Sequence, residues 1–362
     1  MAWNFILISV SIVFIANAFG QLYYAFQLRK KFSEDHNFNN SIATFLLWIV
    51  AGILYPFYFW PHTEPQTFFE GLSVFFICIF TPLLISVILL YQYLFIIKNT
   101  PKIKEQRTIN LFLTRFDNKN EKDEPQSESH TLKIDIYRKG LHLFPALVII
   151  LLWLFAVYVW DGLWEADQFW GISGERFGRF LIITAGYSGI LIFGALDYVR
   201  LSYIFPKKNL FHFLPNNVLD LLSKSMKRQE IFEFTKPATL VMAFTPIFFL
   251  PFGIFSSAAL IATIGDGAAS IMGLKFGRVH YPKKSNKTII GYISGAIVSF
   301  LVSLMSLYVF QPMITITENL ILSAVGGVAF LLVDLSNLNI DDNILNPIVC
   351  GLVMGFVCYL FF

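Results

Sequence analysis

Asp266 stands between Gly265 and Gly267 in the stretch "GDGAASIMGLKFGR", residues 265–278, where an apolar run ends in a chain that is only 14% charged. Ala268, Ala269 and Ser270 follow, so the backbone can approach a ligand or another helix with no bulky side chain between. Gly273 and Gly277 continue the small-residue pattern, and Lys275, Arg278, Lys283, Lys284 and Lys287 form a basic cluster with this one carboxylate at its entrance. Such a grouping suits a polyphosphate with a divalent cation. Carboxylate oxygen holds Mg²⁺, the metal bridges phosphate oxygens, and lysines neutralise charge during phosphoryl transfer. The same spacing suits, equally well, close helix packing through G-x-x-x-G followed by a positive loop. No G-x-x-x-x-G-K-[ST] occurs and no G-x-G-x-x-G follows a strand, which argues against a soluble-type phosphate loop.

Further polar residues fall at or near the ends of apolar segments: Arg138, Lys139 and His142; Asp197 and Arg200; Arg228, Glu230 and Glu233; Asp334; and Asp341, Asp342 and Asn343. Ionisable groups at a membrane boundary are costly unless they pair or line a wet cavity, so their gathering on one side marks a candidate site. Taken singly, Arg138, Lys139 and Arg200 read equally well as positive anchors, and His142 alone reads first as a satisfied structural histidine.

The helices that would carry these residues are legible in the composition. Of 362 residues, 56% are hydrophobic, and the mean hydropathy is +0.62, far from a soluble-domain balance. The expected fold is an all-α integral membrane protein, a polytopic bundle of about ten transmembrane helices. The expected spans are Trp3 to Leu28, Ser41 to Trp60, Phe68 to Ile97, Leu141 to Trp160, Phe180 to Val199, Pro237 to Phe252, Ile254 to Leu274, Thr288 to Phe310, Asn319 to Val333 and Ile344 to Phe362. Arg29, Lys30 and Lys31 follow the first span and no basic residue precedes it, the reverse of a cleavable signal. With the start of the chain outside, loops 29–40, 98–140, 200–236, 275–287 and 334–343 are cytoplasmic and hold all but two of the 27 Lys and Arg, the exceptions being Arg176 and Arg179.

A net charge of +3 argues against nucleic-acid binding on electrostatic grounds. Cys78, Cys350 and Cys358 lie inside apolar segments and read as small buried hydrophobes. The polar stretch "NKNEKDEPQSESH", 118–130, reads as a linker. The expected organisation is an accessory three-helix part, 1–97, a cytoplasmic linker, 98–131, and a core, 132–362.

Within that core, Asp266 to Gly291 resembles the CTP-binding signature of the CTP-dependent lipid-alcohol kinases, the family of dolichol kinase, phytol kinase and CTP-dependent diacylglycerol kinase. The signature reads D-x-x-A-x-x-x-G-x-x-x-G, eight residues, then K-K-T-x-E-G. Asp266, Ala269, Gly273, Gly277, Lys287, Thr288 and Gly291 match at the required spacing, whereas Asn286 and Ile290 replace its first lysine and its glutamate. "YRKGLHLFP" at 137–145, "LDYVRL" at 196–201, "KRQE" at 227–230 and "DDNILNP" at 341–347 are similar to further family blocks, in the same order.

The resemblance implies transfer of the γ-phosphoryl of CTP to a membrane-dissolved alcohol, dolichol or polyprenol first, with Mg²⁺ or another divalent cation. Asp266, Asp341 and Asp342 are then the candidate metal ligands. Arg138, Lys139, Gly273, Gly277, Lys283, Lys284, Lys287, Thr288 and Gly291 are the candidate CTP and phosphate contacts. Asp342 or His142 takes the hydroxyl proton beside Asp266, and Asp197, Arg200, Arg228, Glu230 and Asn343 support them. The plain alternative for Asp341 and Asp342 is a helix cap before Ile344. The implied partners are a lipid alcohol in the bilayer and a nucleotide from the cytoplasm, in the endoplasmic reticulum of a eukaryote or the plasma membrane of a prokaryote. Phosphatidate cytidylyltransferase shares part of the signature but continues into H-G-G-x-x-D-R, which this chain lacks. A transporter or lipid-binding scaffold is the alternative of another class.

Overall fold

A backbone at membrane depth finds no water for its N–H and C=O groups, so long apolar stretches must close their hydrogen bonds within themselves. In the computed structural model, which describes residues 5–100, 102–114, 128–226, 229–282, 287–336 and 338–362, they do so as helices. In chain order these are α1 (Phe5–Lys31), α2 (Phe38–Phe59), α3 (Glu64–Ile97), α4 (Asp135–Leu163), α5 (Gly174–Ile204), a short α6 (Lys236–Phe244), α7 (Phe252–Phe276), α8 (Ile289–Phe310), α9 (Ile316–Ser336) and α10 (Asp342–Phe361). All but α6 are long and apolar enough to cross a membrane, nine among the described residues, which contain no β-strand. The protein is an all-α polytopic membrane protein.

The stretch expected as a tenth full span, Pro237 to Phe252, is broken instead. Helix α6 ends at Phe244 and a 3₁₀ turn, Thr245–Ile247, follows. Pro246 and Pro251 explain the break, since each lacks an N–H and disfavours helix before it. Ile247 lies against Gly351 and Leu250 against Gly355, so this broken segment still runs beside α10 and in the same direction.

The chain forms two compact units, one of residues 1–123 and 149–238 and the other of residues 124–148 and 239–362. In the first, the Phe14 ring packs 4.9 Å from Trp48 and 4.6 Å from Tyr187, and the Tyr187 hydroxyl donates to the Ala51 carbonyl at 2.6 Å. Asn37 caps α2, accepting from the backbone N–H groups of Asn39 and Asn40 at 3.1 and 3.2 Å.

In the second unit, Ile261, Leu307, Phe330, Cys350 and Met354 pack a common core from α7 to α10. Apolar burial drives little association in lipid, so close approach through small residues matters more. Gly291 shows this: a Cβ there would lie 2.8 Å from the Ala269 carbonyl, so only glycine lets α8 approach α7 so closely. Thr288 caps α8, its hydroxyl accepting from Gly291 N–H at 3.2 Å, and Asp341 caps α10, accepting from Asn343 N–H at 2.9 Å. The α7–α8 connection closes on itself through Ile289 N–H to Val279 O at 3.0 Å and Tyr281 N–H to Lys287 O at 3.1 Å. That closure carries Lys287 back to the end of α7.

Candidate functional site

Helix α7 takes a π-turn over Ile261–Gly265, and Asp266 is the first residue beyond it. A π-turn inserts a residue into the ladder and rotates the next turn of helix, a device common at functional sites. Asp266, 7% exposed, forms an ion pair with the ammonium of Lys139 on α4. One turn further along α7, the Ser270 hydroxyl donates to Asp135 Oδ2 at 2.5 Å, and Asp135 Oδ1 accepts from Arg138 at 2.7 Å. Helix α4 is thus laced to α7 by an ion pair and a hydrogen bond, and Arg138 is held by its own neighbour one turn back.

Two more helices reach the same place. Lys287 pairs with Asp334 of α9 at 2.5 Å and also donates to the Asp334 carbonyl at 3.3 Å. Asp342, at the start of α10, lies within Coulombic reach of Lys139, Lys287 and Asp334. Thr288 packs on Gly273 and Gly277, where a Cβ would lie 3.0 and 2.4 Å from its hydroxyl oxygen. The small residues and the charges of the 265–291 stretch therefore serve packing and clustering together.

Lys287 lies outside the spans, and its ammonium is held above the ordinary lysine value. Burial, the largest single influence, pushes it down, but the Asp334 carboxylate with its hydrogen bond, then Asp342 and Tyr292, together outweigh it.

His142 stands one turn beyond Lys139 on α4, with Nδ1 3.2 Å from Asn343 Oδ1. Asn343 in turn donates from Nδ2 to Asp341 Oδ1 at 2.6 Å. An amide oxygen only accepts, so Nδ1 of His142 is the donor in this contact. Asp341 thus caps α10 and orients Asn343, as the helix-cap alternative expects.

Asp197, Arg200 and Glu230 belong to the first unit. Asp197 and Arg200, both almost fully buried, pair at 2.9 Å. Thr235 donates to Asp197 Oδ2 from its N–H at 2.9 Å and its hydroxyl at 3.0 Å. Arg200 donates to the Ile231 carbonyl at 2.6 Å and to that of Glu233, and Glu230 pairs with Lys236 at 3.0 Å. This is a brace that holds the 230–235 segment to α5. Lys283, Lys284 and Arg228 lie outside the described residues.

Among the described residues no group of three or more His, Cys, Asp or Glu side chains is arranged to hold a metal by itself. The donor set nevertheless fits Mg²⁺ in its usual mode at phosphates, one or two carboxylates with the remaining positions taken by phosphate and water. Among the described residues Asp135, Asp266, Asp334 and Asp342 outnumber Arg138, Lys139 and Lys287, and that excess of carboxylate in a partly buried cluster favours a cation. Asp135 and Ser270 escape a reading of the sequence, because nothing but the i, i+3 relation of Asp135 to Arg138 signals them. No protein-family model, curated protein or solved structure matches the chain.

Proposed function

We propose that the protein is a CTP-dependent lipid-alcohol kinase, which transfers the γ-phosphoryl group of CTP to the hydroxyl of a polyprenol-type alcohol at the cytoplasmic face of its membrane. The observation that carries this reading is the convergence of Lys139, Asp266, Lys287, Asp334 and Asp342, drawn from α4, α7, the α7–α8 connection, α9 and α10, at one end of the second unit's helices. Anion-neutralising lysines beside carboxylates able to hold a cation are what phosphoryl transfer needs, since its catalysis is positioning and charge stabilisation.

In this reading Lys139 and Lys287 exchange part of their pairing with Asp266 and Asp334 for phosphate oxygens. Asp266 and Asp342 would hold Mg²⁺, which would supply neutralisation of phosphate charge. The alcohol oxygen attacks the γ-phosphorus, the bond from that phosphorus to the bridging oxygen of CDP breaks, and Nε2 of His142 accepts the hydroxyl proton while Asn343 holds the ring.

The test is phosphate transfer by purified protein from γ-labelled CTP or ATP to polyprenol, phytol and diacylglycerol, with Asp266→Asn in parallel. Labelled lipid that needs CTP and is lost in the variant is the expected result. Unlabelled alcohols, with CDP-lipid formed from phosphatidate and α-labelled CTP, would overturn the proposal in favour of cytidylyl transfer.

A further inference from the structure

Asn346 lies on α10 four residues beyond Asp342, about 6 Å further along the helix axis at 1.5 Å per residue. It is 1% exposed, and its side-chain oxygen is sealed from solvent without a hydrogen bond from any described residue. It shares a face with Asn343, one turn before it. Asn343 meets His142, and His142 stands one turn beyond Lys139. Polar positions therefore continue past the charged cluster, from Lys139 and Asp342 to His142 and Asn343 and then to Asn346.

The backbone at this level also lacks donors. Pro347 has no N–H, which leaves the Asn343 carbonyl without its i+4 partner, and Pro145 does the same for Leu141 on α4. At membrane depth such freed carbonyls need another donor. Asn346 is thus an acceptor with no donor among the described residues, beside carbonyls that lack their i+4 partner and just beyond a cluster of charges. What satisfies them must bring an O–H or N–H. An ammonium group would have to give up its hydration at a sealed position that holds no carboxylate of its own, so a neutral hydroxyl fits better.

We propose that Asn346 is a positioning residue for the acceptor alcohol: its side-chain oxygen accepts the hydrogen bond of the lipid hydroxyl, below His142 and the charged cluster. This rests on the kinase reading for its consequence but not for its test, which reads binding. In that complex the alcohol O–H points at Asn346 and then turns to Nε2 of His142, which takes the proton as the oxygen lone pair attacks the γ-phosphorus.

The experiment uses the full-length protein in nanodiscs and a diazirine-bearing geranylgeraniol as photoprobe. Geranylgeraniol and its methyl ether, which keeps the chain but has no O–H to donate, compete for labelling. The wild type should favour the alcohol over the ether by about 10-fold, the worth of one well-placed hydrogen bond. Asn346→Leu should bring the two competitors to parity, and Asn346→Asp, an acceptor of the same shape, should restore the preference. Thermal melting of each variant separates loss of the fold from loss of the contact. Equal competition by alcohol and ether in the wild type, preference unchanged in a folded Asn346→Leu, or no labelling would each overturn the proposal. Preference for the alcohol without phosphate transfer from CTP would retain this seat and sink the kinase reading. Transfer that ignores Asn346 would do the reverse.

Discussion

Lys139 and Asp266, 127 residues apart in sequence, form a buried ion pair between α4 and α7, with side chains 11% and 10% exposed. A pair so placed is weak evidence of stability as such, because desolvating both charges offsets most of their attraction. Its position is more telling. Asp266 follows a π-turn, Lys139 also feels Asp342, and Asp334 feels both carboxylates, so the pair belongs to a cluster whose charges compete for partners. A ligand bearing phosphate and a cation would relieve that competition.

Removing one partner separates structure from chemistry. Asp266→Asn leaves the Lys139 ammonium buried with a weaker partner and should destabilise the protein by about 3 kcal/mol, the lower end for a broken buried pair because Asp342 remains in reach. The double variant Lys139→Met with Asp266→Leu should regain most of that in thermal melts while phosphate transfer stays about 10²–10³-fold below wild type. Recovery of transfer together with stability would make the pair structural only.

Lys287 predicts a dependence on alkaline pH. Its folded-state pKa is raised, chiefly by Asp334 against the opposing effect of burial, so its stabilising contribution is complete below the ordinary lysine value of 10.5 and is lost as pH rises through the folded value. Melting temperature measured from pH 9 upward should therefore fall more steeply for wild type than for Lys287→Met. Parallel curves would show that the ion pair contributes nothing.

The helices were legible because a run of twenty apolar residues has few other fates, and so was the gathering of Lys139, Asp266, Lys287 and Asp342, whose charge is conspicuous in a greasy chain. How they pair was not. Asp334 pairs with Lys287 across 47 residues and Asp135 meets Ser270 across 135, and side-chain pairing between helices follows from their rotation and offset, which hydropathy does not encode. Pro237 to Phe252 misleads for a related reason: its composition is that of a span, but Pro246 and Pro251 set the backbone. Asp197 and Arg200 read as site residues by type alone, whereas their hydrogen bonds go inward to the 231–235 segment.

His36 predicts acid sensitivity of the first unit. Its ring is buried between the Phe232 carbonyl, 2.8 Å from Nδ1, and the Ser41 hydroxyl, 3.2 Å from Nε2. Burial lowers its pKa, the Phe232 carbonyl opposes this and Arg29 adds to it. A depressed histidine contributes stability that is present above its ordinary value of 6.5 and is lost as pH falls through the folded value. Melting temperature should drop from about pH 6.5 downward in wild type, and His36→Asn, which keeps a donor for Phe232 but does not titrate, should flatten that slope.

Gly291→Ala tests whether the small residues between α7 and α8 act by packing. Alanine at Gly291 would place its Cβ 2.8 Å from the Ala269 carbonyl, on backbone that cannot step aside, and only 3.2 Å from the Thr288 hydroxyl that caps α8. Overpacking of this kind costs about 1–3 kcal/mol. The displacement falls at the start of α8, next to Lys287, so nucleotide affinity should weaken with stability in Gly291→Ala. Alanine at Gly189, whose Cβ would meet nothing within 4 Å, should leave both unchanged. Calorimetric titration with CTP and Mg²⁺ alongside melting curves measures the two effects, and a stable Gly291→Ala that binds nucleotide normally would show that the close approach of α7 and α8 is not needed to place Lys287.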